Sequence, residues 1–347
     1  MERTLLPGSS GSIERLLLVC PAFAVRDFSL SFLNFIARRP PAQLTVVVHE
    51  SAAATVRSWL AGLEATIIEA PDDASLSMWA QDAFLVTESG LLVKPETYGD
   101  VQDQVIADIL GLPTVTAPLQ FQGGNVLAGD DFVLVGADCA RKSGAGFCDA
   151  FRRHIDSRRE IHVLGSRVPI PLQSERTGIL DGVKWREIRY YKSLKGTEQP
   201  IFHLDLFVTL LGGRRLLVGD PALAATLLGH DPYPHALQEA FDDTAEQLRD
   251  LGFEVTRNPL PLVYMDEPEE RLRTWYFASS NNALVSGKTV WLPKFGYAGW
   301  ATLAATDEAN SQIWTELGFN VVYIDGCRAL AENLGGIHCL AKCLERS

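Results

Sequence analysis

Short apolar runs broken by glycine-bearing turns recur along this chain, and four of them read as hairpins: AFLVTESGLLVKP (83–95), NVLAGDDFVLVG (125–136), DLFVTLLGGRRLLVGDP (205–221) and NALVSGKTVWLP (282–293). Each has Val, Leu or Phe on both sides of a turn, the pattern of two antiparallel strands. A second pattern follows the hairpins. A stretch of helical periodicity closes on Leu-Gly, then an apolar residue, then a β-run: ILGLPTVTAP (109–118), DLGFEVTRNP (250–259) and ELGFNVVYID (316–325), with a looser copy in AGLEATIIEAP (61–71). Glycine suits the left-handed position just past a helix C-terminus. The repeating unit is therefore hairpin, helix, strand.

About five such units at irregular spacings of roughly 40 to 80 residues predict elements packed side by side around an axis. A doubly wound sheet would instead show single strands alternating with helices and a GxGxxG turn after the first strand. The sequence has no such turn. The stretch from about Arg141 to Pro200 fits the unit poorly and carries the basic, aromatic run PLQSERTGILDGVKWREIRYYKSLKG. The expected organisation is one catalytic domain over 1–347 with a specificity insertion around 165–200.

The residues that enter the hairpins are more polar than ordinary turns require. SMWAQD leads into the first and ends in Asp82, and FQGGN, with Gln122, leads into the second. FHLD, with His203 and Asp205, leads into the third, SSNN into the fourth with Asn282, and GGIHC, with Cys339, into a last strand. Units surrounding an axis point equivalent positions at the same place, so these six side chains are expected to converge. A thiol, an imidazole, two carboxylates and two amides suit thiol-nucleophile chemistry on a cation, and a guanidinium fork matches carboxylate oxygens.

Composition narrows the field. A 347-residue chain with 47% hydrophobic residues can bury a large core. A net charge of −12 argues against a nucleic-acid partner and suits a cationic small molecule. The six cysteines are dispersed, which favours reduced thiols in a cytoplasmic protein, and neither paired CxxC motifs nor HExxH point to a metal. The apolar stretch near the start, Leu16 to Cys20, is too short for a signal or membrane segment. Nothing in the sequence reads out oligomeric state.

WAQD (79–82), FQGGN (121–125), HLD (203–205) and GGIHC (335–339), in this order across most of the chain, resemble the guanidino-group-modifying enzymes of the pentein superfamily. These include arginine, agmatine and peptidylarginine deiminases, dimethylarginine hydrolases and amidinotransferases. The resemblance implies an α/β fold: a five-bladed propeller of ββαβ repeats with pseudo-fivefold symmetry around a substrate channel. It implies that Cys339 attacks the guanidinium carbon to form a thiouronium-type adduct, and that His203 protonates the departing amine and then activates water. Asp82 and Asp205 would bind the guanidinium nitrogens, with Trp79, Gln122, Gly123 and Asn282 also lining the substrate. No cofactor or metal is implied, and the substrate is a small or peptidyl guanidino cation.

WAQD and NALVSGKTVWLPKFG (282–296) look most like peptidylarginine deiminases, whereas FQGGN and GGIHC look most like agmatine and arginine deiminases. One departure stands out: many of these hydrolases carry an acidic residue where Gln122 stands, and it partners the histidine. A deiminase is the leading reading, with an amidinotransferase and a non-catalytic guanidine-binding homologue as alternatives. Arg176, Lys184, Arg186 and Arg189 are candidates to hold a substrate carboxylate, with a solvated surface loop as the competing reading.

Overall fold

In the computed structural model, residues 3–96, 102–171, 176–189 and 197–347 are described. All four hairpins form where the apolar pattern places them, and each continues through helix into a third strand parallel to the second. The first sheet runs Leu85–Val86, Leu92–Pro95, Thr114–Ala117, and the second Val126–Ala128, Phe132–Gly136, Glu160–Leu164. Val208–Leu210, Arg215–Asp220 and Glu254–Pro259 make the third, and Leu284–Ser286, Thr289–Pro293 and Asn320–Ile324 the fourth.

The Leu-Gly signal marks helix ends as expected. Gly111, Gly252 and Gly318 have φ of 62°, 83° and 86°, just past the helices Gln102–Ile109, Gln238–Asp250 and Ala304–Glu316. A side chain is costly there. Helix starts use local chemistry too: the Asp220 carboxylate accepts the Leu223 N–H at 3.0 Å ahead of Pro221–Leu227, with proline at its first position.

A fifth sheet of the same plan is assembled from both ends of the chain. Ala341–Arg346 lies antiparallel to Ile13–Cys20, which is parallel to Gln43–His49 and, beyond it, Ala65–Ala70. Alternation along Ile13–Cys20 explains its central place. Leu16, Leu18 and Cys20 pack with Phe28, Phe32 and Phe35, while Leu17 and Val19 face Ala80, Phe84 and Val86, so both faces are buried.

Two differences from the sequence reading appear. The stretch 141–164 belongs to the second unit: helices Ala137–Ser143 and Phe147–His154 lead into Glu160–Leu164, which pairs parallel with Phe132–Gly136. Its polar, irregular helices hid that membership. Beyond it, Arg176–Leu180 and Val183–Arg189 form a hairpin that joins Leu272–Phe277 and Leu262–Glu267 in a separate four-stranded sheet. The added sheet thus draws on two loops of the chain, and Arg176, Lys184 and Arg186 are exposed on it. The flanking parts of the basic run, 172–175 and 190–196, lie outside the described residues.

A cavity of about 90 Å³ is lined by residues from the first strand of every unit, among them Leu85, Val126, Val208, Leu284 and Ala341. The segment 5–8 lines it as well, held by the Leu6 N–H to the Val86 carbonyl at 2.8 Å and the Gly8 N–H to the Ala128 carbonyl at 2.7 Å.

Candidate active site

Each first strand is entered through a tight turn, and those turns carry the polar residues. Short helical turns Ala80–Asp82, Gly123–Asn125 and Leu204–Leu206 precede the first three strands, a bend at 279–283 the fourth, and the short helix Ile337–Leu340 the last. The turns pack on one another because glycine leaves room. A Cβ on Gly123 would stand 1.9 Å from the Gln81 carbonyl oxygen, and one on Gly124 would stand 2.7 Å from His203 Nδ1 and 2.9 Å from Asp205 Oδ1.

Two linked groups result. In the first, Gln122 Oε1 meets His203 Nε2 at 2.5 Å, His203 Nδ1 lies 3.8 Å from Asp82 Oδ1, and Asp82 accepts the Gly124 N–H at 3.0 Å. An amide oxygen at Nε2 is an acceptor, so the neutral imidazole carries its proton there and presents the Nδ1 lone pair towards Asp82 and Gly124. In the second, Asn282 clamps Cys339. Its Oδ1 accepts the Cys339 N–H at 3.0 Å, and its Nδ2 donates to Cys339 Sγ at 3.1 Å and to the Asp205 carbonyl at 3.3 Å. The Cys339 thiol points at Asp205 Oδ2, 3.7 Å away.

The remaining glycines of GGIHC also act by size. A Cβ on Gly336 would sit 2.6 Å from Asn282 Oδ1, and one on Gly335 would sit 2.5 Å from the Trp79 ring. The Trp79 ring therefore packs close against Gly335, ahead of Cys339. All eight residues expected at the site fall in these turns or, for Trp79, Gln122 and His203, directly ahead of them, Gly123 contributing a close backbone approach and no side chain.

Two neighbours escaped the sequence reading. His338 Nδ1 bonds Asp205 Oδ2 at 2.7 Å, and the Lys342 ammonium, 5% exposed, donates to the Gln81 carbonyl at 3.3 Å. His338 sat inside GGIHC with no unit-to-unit equivalent to mark it. A lysine three residues past the cysteine, in CLAK (339–342), was the available signal for the other.

The site is buried and short of positive charge. Asp82, His203, Asp205, Asn282 and Cys339 are 7%, 3%, 2%, 0% and 3% exposed. Burial pushes the Asp82 carboxyl up, partly offset by His203 and reinforced by Asp205. Burial, then Asp205 and Asp82, drive the Cys339 thiol well above its usual range, against smaller opposing effects of the Gly336 backbone and Asn282. Asp205 Oδ1 is buried with no hydrogen-bond partner among the described residues. A cation placed among these groups would satisfy that oxygen and favour the thiolate in one step. Among the described residues no cluster of three or more His, Cys, Asp or Glu side chains is arranged to hold a metal ion, and no helix is long and apolar enough to cross a membrane.

No family model matches the sequence, and no curated protein aligns with it significantly. Solved structures do match over nearly the whole chain. An agmatine deiminase of C. jejuni superposes with a TM-score of 0.64 at 13% identity, covering 98% of this chain and 95% of its own. An Enterococcus faecalis agmatine deiminase gives 0.62 at 15% identity over 98% and 95%. A Porphyromonas gingivalis protein provisionally described as an arginine deiminase gives 0.67 at 17% identity over 98% of both chains. The chain therefore has the fold of the guanidino-modifying deiminases to which its four motifs pointed.

Proposed function

We propose that this protein is a cysteine-dependent hydrolase that converts a small guanidino compound to its ureido product and ammonia. The observation that carries the reading is the buried, unpaired Asp205 Oδ1 beside a thiol whose other neighbours are already fixed. A buried carboxylate oxygen with no donor is costly unless a ligand supplies one, and a guanidinium brings N–H groups in the matching plane. The likeness to agmatine and arginine deiminases supports the same substrate class. The deep burial of every reacting group favours a free small molecule over an arginyl side chain in a protein.

Asp82 and Asp205 bind the guanidinium nitrogens, and the arriving positive charge offsets what holds the Cys339 proton in place. The Cys339 proton passes to the free Nδ1 of His203, Sγ attacks the central carbon, a C–S bond forms, and the C–N bond to the departing ammonia breaks as His203 Nδ1 gives that proton to the leaving nitrogen. His203 then takes a proton from water, whose oxygen attacks the adduct and expels the thiolate. The same reading takes the five ββαβ units as blades of one propeller closed by the two chain ends, with the cavity between first strands as its axis. The shared lining of that cavity supports this arrangement.

Ammonia release from arginine, agmatine and dimethylarginine tests the activity; no turnover of any of them by protein with intact thiols would sink it, and product formed only with an added amine acceptor would indicate amidino transfer. Cys339→Ala is expected to abolish turnover while ligand binding persists. A neutral alkylating agent should modify partly exposed Cys148 ahead of Cys339, whereas a cationic haloamidine should reverse that order, as mass spectrometry of the labelled peptides will read.

A further inference from the structure

Lys342 follows Cys339 by three residues, in the strand Ala341–Arg346, and is almost fully buried. Its ammonium has one hydrogen bond among the described residues, to the Gln81 carbonyl at 3.3 Å, and its Nζ lies 5.8 Å from the centre of the Phe84 ring. Burying a cation with two of its three donors unused is expensive. In the other four units the second residue of the first strand is Val86, Leu127, Thr209 and Val285, so none of them places a charge there. Packing alone would favour an apolar residue at this position too.

What distinguishes this unit is what faces it. Lys342 lines the cavity between the first strands together with Asp205 and His338 from the site and Cys343 and Arg346 from its own strand. Arg346 is committed to carbonyls, those of Gly8 and Val285 among them, at 2.7 and 2.9 Å. His338 is committed to Asp205. The carboxylates that act on the ammonium are those of Asp82 and Asp205, while burial pushes the Cys343 thiol up and leaves it neutral.

We propose that Lys342 is a positioning residue of the guanidino site: its ammonium keeps Asp82 and Asp205 ionised while the site is empty, and gives a proton to solvent when a guanidinium takes over both carboxylates. The proposal rests on the guanidino reading above. One N–H bond of the ammonium breaks, the amine remains hydrogen-bonded in the cavity, and buffer base takes the proton, so the net charge of the site changes little on binding. Burial already lowers the Lys342 pKa to about 8, against the opposing pull of Asp82, so a second cation nearby needs to add little for the proton to leave near neutral pH.

The test uses the full chain carrying Cys339→Ser, which removes the thiol as an alternative proton source. Agmatine and arginine are titrated calorimetrically at pH 7 in buffers of different ionisation enthalpy. Roughly one proton is expected to leave per ligand bound, and that release is expected to vanish when Lys342→Met is added. A second arm needs no ligand: carboxyl-carbon NMR of Asp82 should show its titration moving up by about one pH unit in Lys342→Met. Lys342→Gln serves as a second neutral variant if the methionine protein does not fold. Proton release and carboxylate titration unchanged in a folded variant would overturn the proposal and leave Lys342 a packing role. If neither ligand binds, the guanidino reading fails, and the ligand-free carboxylate titration still decides whether Lys342 controls Asp82.

Discussion

Gln122 is the residue whose chemistry departs most from the pattern the motifs resemble. An amide oxygen at His203 Nε2 fixes the tautomer but offers no charge to an imidazolium. Gln122→Glu sets a carboxylate against His203 Nε2 and is expected to move the pH–rate profile up by about one pH unit, because an opposite charge in contact favours an imidazolium. A profile that stays in place would show that His203 is not the titrating base. At this scale the sequence was most informative about side chains. Asp82, His203, Asp205 and Cys339 were legible because each stands in or beside the turn that enters a unit's first strand. His338 was not, because its role depends on the direction Asp205 takes after folding.

At the scale of elements, the hairpin–helix–strand unit was readable because each part has its own signal: period-two alternation, helical periodicity, and a left-handed glycine between them. Gly318 makes the point testable. Gly318→Ala forces a Cβ into φ of 86° just past Ala304–Glu316, so it should cost on the order of 1–2 kcal/mol of stability while leaving KM unchanged. Denaturant unfolding alongside initial-rate kinetics will check both. The two insertion segments were less legible. Arg176–Leu180 and Val183–Arg189 have the look of a polar loop until Leu272–Phe277 pairs with Val183–Arg189, Arg186 meeting Leu272 far along the chain, and supplies the apolar face.

For the whole molecule, two shifted groups shape the dependence of stability on pH. Asp307, which accepts N–H groups from Phe295 and Gly296, is raised by burial to about 6. A carboxyl raised on folding stabilises the protein below its unfolded pKa and loses that contribution as pH climbs through 6. Lys342, lowered to about 8, does the opposite: its contribution is present above its unfolded value and is lost as pH falls through 8. Stability should therefore fall between pH 4 and 6, by about 3 kcal/mol from Asp307 alone, and rise again above pH 8. Asp307→Asn should flatten the first slope and Lys342→Met the second in melting curves across pH; a profile unchanged by either would refute the assignment.

The sequence by itself determined the repeating unit, the turns that carry polar side chains, and the thiol, imidazole and carboxylates that chemistry requires, because these follow from local periodicity and residue type. Only the tertiary structure decided that the two chain ends share a sheet, that Asn282 clamps Cys339, and that Lys342 lines one cavity with Asp205. Those facts depend on which surfaces meet once loops of many residues have closed, and no local pattern of apolar and polar positions encodes that meeting.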